Sequence, residues 1–263
     1  MADQLVAVPP PTTPVYRVAR GADPFAPPGW AYANQDGTFG NRFDDPGARA
    51  GIPESERFRV IYCATQRAAA FGETIARMRP SLALIAQLND IDDEEPLEQT
   101  LHGVVDPEDA RRGLVTREWR LQRRLGATYL DPSLRFVDIA APETMTHLRS
   151  ALATCAAALG IHDIDLSAIT SGQRRFTQEC ARYIYEQADD AGRPCFAGIR
   201  YPSRLNPDWE CWAIFDTRMV HQRCPTETIH PNDPGVWEAA RLLGLSIEGV
   251  RKGDFLRPWR EDL

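Results

Sequence analysis

The stretch FRVIYCATQRAAAFGET, residues 58–74, decides the fold class. Residues 58–64 form a short apolar, partly β-branched run, which predicts a strand. Thr65 stands where a helix N-cap belongs, and the Ala-rich run after it favours a helix that Pro80 limits. Strand passes into helix with almost no connection. Tyr62 therefore sits at a strand end, and Glu73 follows eleven residues later on the helix.

Working outward, VYRVA (15–19) alternates and reads as a first strand, and LRFVDIA (134–140) as another. CFAGIRYPS (195–203) and CWAIFD (211–216) are two more, separated by the polar turn RLNPDWE. Residues 142–160 predict a helix with Pro142 near its start and Gly160 as its stop. A second helix is expected over 174–192, ending at Gly192, and a terminal one around VWEAARLLG (236–244). The order lacks the regular βαβ alternation of a doubly wound fold, and no strand is followed by G-x-G-x-x-G. The expected class is α+β: a mixed sheet core with flanking helices. Residues 1–14 are Pro-rich and read as a flexible, extended segment. Residues 15–263 read as one domain, with an insertion around 81–130. Residues 21–57, crowded with Gly, Pro, Asp and Asn around GTFGNRF, predict a long loop over the site.

Charge is unevenly distributed. Asp90, Asp92, Asp93, Glu94 and Glu95 make an acidic patch that reads as a solvated loop. Residues 111–124 carry Arg111, Arg112, Arg117, Arg120, Arg123 and Arg124, which read as an exposed helix face able to pair with that patch, with an anion-binding surface as the alternative.

The 263 residues are 43% hydrophobic and 25% charged with a net charge of -7, values of a globular chain rather than a general nucleic-acid binder. Lys252 is the only lysine, so 29 of the 30 Lys and Arg residues are arginine. A Walker A loop needs a Lys beside Ser or Thr, and Schiff-base catalysis needs a lysine amine. Lys252, in RKGDF, suits neither. No run of 18 apolar residues predicts a membrane span, and the first residues lack the layout of a signal peptide, so a cytoplasmic location is expected. The six cysteines read as small core residues. Cys211, His221, Cys224 and His230 lack zinc-knuckle spacing, and no metal is expected. No G-x-S-x-G elbow supports a serine hydrolase.

Three islands remain: GNRF with Arg42, IYCATQRAAAFGET with Tyr62 and Glu73, and GIRYPSRLNP with Ser203 and Arg204. Together with the early Y-R-V they resemble the RES-domain family, named for its Arg, Glu and Ser positions. The resemblance spans about residues 15–220. It implies a fold similar to ADP-ribosyltransferases and cleavage of the nicotinamide–ribose bond of NAD+, which is the substrate rather than a prosthetic group. Arg42 matches the family Arg, Glu73 the Glu, Ser203 the Ser, and Tyr62 the accompanying tyrosine, with Arg17 as a competing or additional Arg. The interval of 130 residues between Glu73 and Ser203 exceeds that of compact toxin members, and Glu210 and Cys211 stand where many of those carry Asn.

The implied roles follow bond chemistry. Glu73 would stabilise an oxocarbenium-like ribose or hold its hydroxyls. Arg42 would clamp the pyrophosphate, with Arg17 and Arg204 in reserve. Tyr62 would stack on or hydrogen-bond the ribose, and Ser203 would contact substrate or orient Glu73. The acceptor is either inorganic phosphate, as co-substrate, or water. The family also implies a helix-turn-helix (Xre-type) antitoxin as partner of a toxin, and a homodimer; the acidic balance and the lack of a long apolar run argue against direct nucleic-acid or membrane binding. Two other readings stand beside this one: an ADP-ribosyltransferase acting on a macromolecule, and a catalytically silent binding module that uses its charged segments for assembly.

Overall fold

The computed structural model describes residues 4–82, 85, 113–218 and 225–250. The acidic patch, Arg111, Arg112, His221 and Cys224 lie outside the described residues. In chain order the strands are β1 (Ala7–Val8), β2 (Val15–Arg20), β3 (Val60–Ala64), β4 (Leu114–Val115), β5 (Arg123–Thr128), β6 (Phe136–Asp138), β7 (Gly198–Pro202), β8 (Glu210–Phe215), β9 (Thr226–Thr228) and β10 (Ser246–Ile247). The helices are α1 (Arg67–Ile75), α2 (Arg117–Leu121), α3 (Pro142–Ala151), α4 (Ala153–Ala158), α5 (Leu166–Thr170), α6 (Arg174–Tyr185) and α7 (Pro234–Leu243). Eight strands form one sheet in the order β1-β6-β7-β8-β3-β2-β5-β9, while β4 and β10 pair separately. Within the large sheet β6–β7 is parallel and the other pairs are antiparallel. This is the expected α+β class with a mixed sheet.

Strand alternation divides the core in two. Val18, Val60, Ala64, Leu125, Ile199, Tyr201, Ala213 and Phe215 face the helices and join the buried side of α1, made by Ala68, Ala69, Ala70, Phe71 and Ile75. Val15, Ile61, Cys63, Phe136, Trp212 and Ile214 face the other way and pack with Phe25. The apolar period of residues 58–75 thus serves both faces of the sheet and one face of α1.

Several expectations change. Thr65 does not cap α1, whose N-cap is Gln66 without a side-chain cap bond. Its hydroxyl instead donates to Glu210 Oε2 at 2.5 Å and accepts from Trp212 Nε1 at 2.9 Å, tying β3 to β8. The helix expected to end at Gly192 stops at Tyr185. Asp189 then organises a turn, with Ala188 bridging Pro194. The helix over 142–160 breaks at Leu152 into α3 and α4. The N-terminal segment is extended as expected but is not loose, since β1 pairs with β6 and Leu5 is buried. The exposed basic helix ends at Leu121. Arg120 and Arg123 are buried, and Arg123 and Arg124 belong to β5, a strand of the main sheet inside the range expected to be an insertion.

The core thiols set an alkaline limit. Burial raises Cys63 from 9.0 to about 12, and pushes Cys180 and Cys211 up as well. The folded chain therefore keeps protons that the unfolded chain loses above pH 9, so stability falls as pH rises. At pH 10 each thiol costs about 1.4 kcal/mol, or about 4 kcal/mol for the three. Urea unfolding at pH 8 and pH 10 is expected to show a loss of that order. Above about pH 10 the depressed pKa of Arg123 acts in the opposite sense, so the comparison stops at pH 10.

Candidate active site

The central strands β2 and β3 share one register pair, Tyr16 with Ala64, and then diverge. β2 remains fully paired on its other side, with six register pairs to β5. A cavity of about 950 Å³ opens at this gap, lined along β2 by residues 16–20 and along β3 by Tyr62, Cys63 and Ala64. The α1 residues Ala70, Glu73 and Thr74 form its roof, and Arg42, Tyr201 and Arg204 close another side. The three islands of the sequence therefore meet at one place.

Glu73 projects from the exposed side of α1, beside a face otherwise committed to the core. Ser203, buried just after β7, donates its hydroxyl to Glu73 Oε1 at 2.5 Å and accepts from Leu205 N at 3.0 Å. Of the two tasks considered for Ser203, orienting Glu73 is the one this arrangement supports. Position 72 lets the helix come close. A Cβ there would fall 2.1 Å from Trp209 Cζ3, so only glycine admits the indole that supports the Ser203 turn.

Arg42 sits over Tyr201, its Cζ 5.6 Å from the ring centroid, and Tyr201 meets Phe43 edge-on at 4.9 Å. Arg42 Nη1 is buried without a hydrogen-bond partner among the described residues. Burial lowers the Arg42 pKa, opposed by nearby Tyr201 and Glu73. The loop carrying it is held by side chains of α6: Thr177 Oγ1 donates to Arg42 O at 2.6 Å, Gln178 Nε2 to Asn41 O at 2.9 Å, and Arg174 Nη1 to Gly40 O. A mobile-looking Gly-rich sequence is thus a fixed shelf.

Tyr62 belongs to that shelf. Its hydroxyl donates to Asp44 Oδ1 and accepts from Phe43 N, both at 2.9 Å. Both hydrogen-bonding roles of the hydroxyl are filled by protein, which leaves the ring to face the cavity. Asp44 is 2% exposed and also accepts from Asn41 N at 2.6 Å. Burial raises the Asp44 and Tyr62 pKa values. Tyr62→Phe leaves a buried carboxylate short of a donor and is expected to cost about 1–3 kcal/mol, measured by urea unfolding. An unchanged midpoint would show that Tyr62 does not hold the loop.

Arg17 has a different aspect. The pleat of β2 sets it with Val15 on the face opposite Tyr16 and Val18, so it meets the cavity at the gap itself. Its Nη1 is also buried without a partner among the described residues, and burial lowers its pKa. Arg204 is exposed at the rim.

Sequence reasoning missed most of the cavity's charge. Arg20, Arg77, Arg79, Arg123 and Arg174 line it beside Arg17, Arg42 and Arg204, and Glu73 is the single carboxylate among its described lining residues. None of these eight arginines forms an ion pair with an acid among the described residues, whereas Arg49, Arg59, Arg67 and Arg182 elsewhere do. In a protein of net charge -7, this is a locally cationic cavity. No group of three His, Cys, Asp or Glu among the described residues is placed to hold a metal ion. No described helix is long and apolar enough to cross a membrane.

Compared with known families, the chain matches the RES domain over residues 14–233. It belongs to the RES-domain family. No curated protein and no solved structure matches it. The RES domain brings an NAD+-related function at the level of the family. The matched span contains every candidate residue from Arg17 to Arg204, and so places the cavity inside the RES domain.

Proposed function

We propose that this RES-domain protein cleaves the nicotinamide–ribose bond of NAD+. The observation that carries the reading is one carboxylate, Glu73, fixed by Ser203 at the wall of an arginine-lined cavity. NAD+ offers a diphosphate for arginine and a ribose that gains positive charge as its C–N bond lengthens. Arg42, with unpaired Nη1 and a guanidinium seated on Tyr201, suits the diphosphate. Arg17 and Arg204 supply further positive charge. Glu73 Oε1 is engaged by Ser203, and Oε2 has no protein partner among the described residues, which leaves it for the ribose.

The chemistry needs little else. Nicotinamide departs as a neutral molecule with the bonding pair, so no general acid is required. The carboxylate is preorganised by a bond that needs no rearrangement during the reaction, the condition under which electrostatic stabilisation is strongest. Water as acceptor gives ADP-ribose and releases a proton; inorganic phosphate gives ADP-ribose 1″-phosphate. Tyr62 acts by positioning the Arg42 loop.

Purified protein incubated with NAD+, with and without phosphate, is expected to release nicotinamide, followed by NMR. The sugar product identifies the acceptor. Folded protein that consumes no NAD+ in either condition overturns the proposal. Isotopically tagged NAD+ that labels a macromolecule instead would establish the transferase reading.

A further inference from the structure

Arg20, Arg77, Arg79 and Arg123 line the cavity but have no task in the chemistry assigned to Glu73, and three of them are linked by register and charge. Arg20 and Arg123 stand directly opposite each other on the β2–β5 ladder, a position where like charges repel. Arg77, in the turn after α1, is the third and acts on Arg123 electrostatically. Arg123 is 5% exposed. Its guanidinium lies 4.8 Å from the Trp119 ring, and its Nη1 donates to Trp119 O at 3.2 Å. No described carboxylate forms an ion pair with any of the three, as the cavity's arginines show as a set.

Among the described residues no carboxylate offsets this arrangement. A buried guanidinium facing a second one is costly without a counter-charge. An apolar side chain at position 123 would fill the same strand site at lower cost. Burial, Arg77 and Arg20 together draw the Arg123 pKa down to about 10, as crowding without an anion does. All three residues line the same cavity as Arg42 and Glu73. Arg20 lies about 10 Å beyond Arg17 along β2 by strand rise, away from the closed end where Tyr16 pairs with Ala64.

We propose that Arg20, Arg77 and Arg123 form a second anion subsite that takes a phosphate dianion, one helical turn beyond Glu73 and three residues beyond Arg17. Guanidinium forks match phosphate oxygens in geometry and charge. Two sources share this chemistry: free inorganic phosphate, and a 2′-phosphate on the adenosine ribose of a dinucleotide. The second source rests on the NAD+ reading above; the first does not.

The test uses the full chain and two exposed positions, Arg20→Gln with Arg77→Gln, since Arg123 is part of the core. Calorimetric titration with inorganic phosphate alone reads the free-anion source. Titration with NAD+ and with NADP+ in a Glu73→Gln background reads the 2′-phosphate source without turnover. One expected result is phosphate binding that weakens roughly tenfold or more in the double variant, about 1.4 kcal/mol. The other is an NADP+ over NAD+ preference of roughly tenfold that falls toward one in the double variant. If phosphate does not bind and the two dinucleotides bind equally, the subsite is refuted. It is equally refuted if the folded double variant matches its parent for every probe. Phosphate binding that depends on Arg20 and Arg77, with no NAD+ binding at all, would establish the subsite and overturn the NAD+ reading.

Discussion

Replacing Glu73 with Gln is expected to leave the fold intact and lower NAD+ turnover by roughly 10²–10³-fold. The structural half follows from its position. Glu73 lies on the exposed side of α1, while Ala68–Phe71 and Ile75 make the helix's core contacts. Glutamine keeps an oxygen to accept the Ser203 hydroxyl, so the change in stability should stay within about 0.5 kcal/mol. The chemical half follows from charge. An amide can copy the hydrogen bond but not the negative charge that opposes an oxocarbenium-like centre. The loss should fall on kcat, with the KM for NAD+ little changed, because the arginines and not Glu73 hold the diphosphate. Full activity in a folded Glu73→Gln protein would remove Glu73 from the mechanism. Ser203→Ala should produce a smaller fall in kcat, since it frees the carboxylate without neutralising it.

The parts of the molecule that could be read from sequence are those where local pattern and tertiary environment agree. β2, β3, β7 and β8 carry apolar residues on the faces that the sheet buries, and α1 and α7 carry a compact apolar side. Arg42, Tyr62, Glu73 and Ser203 were found as ordered islands, and the divergence of β2 from β3 explains why those islands converge. β5 was unreadable for a physical reason. RRLGAT places two arginines and a glycine in a strand that is held by its ladder to β2 rather than by its own composition. The same failure concealed Arg123 as a cavity residue. Arg123 looked like part of a solvated basic run, and only its register with Arg20 brings it inside. The opposite error occurred at Thr65, whose sequence position suits a cap but whose hydroxyl is already engaged by Glu210 and Trp212.

Gly72→Ala is expected to destabilise the protein by about 2 kcal/mol and lower turnover by roughly 10²-fold. Two effects compete at this position. Alanine in a helix interior is favoured over glycine by about 1 kcal/mol. Against that, the new Cβ would lie 2.1 Å from Cζ3 and 2.3 Å from Cη2 of Trp209. Such distances are far inside contact, and overpacking of a filled core costs about 1–3 kcal/mol or more. The indole has little freedom to yield, because Trp209 is 3% exposed and its carbonyl accepts from Ser203 N at 2.9 Å. Either α1 shifts or the Ser203 turn does, and each carries one end of the Ser203–Glu73 bond. A displacement near 1 Å at reacting groups costs roughly 10² in rate. Urea unfolding and steady-state turnover read the two effects separately. Adding Trp209→Leu should relieve the clash, so that the double variant is more stable than the sum of the single changes requires. If Gly72→Ala is as stable as the parent, the Trp209 contact does not set the height of α1 over the cavity.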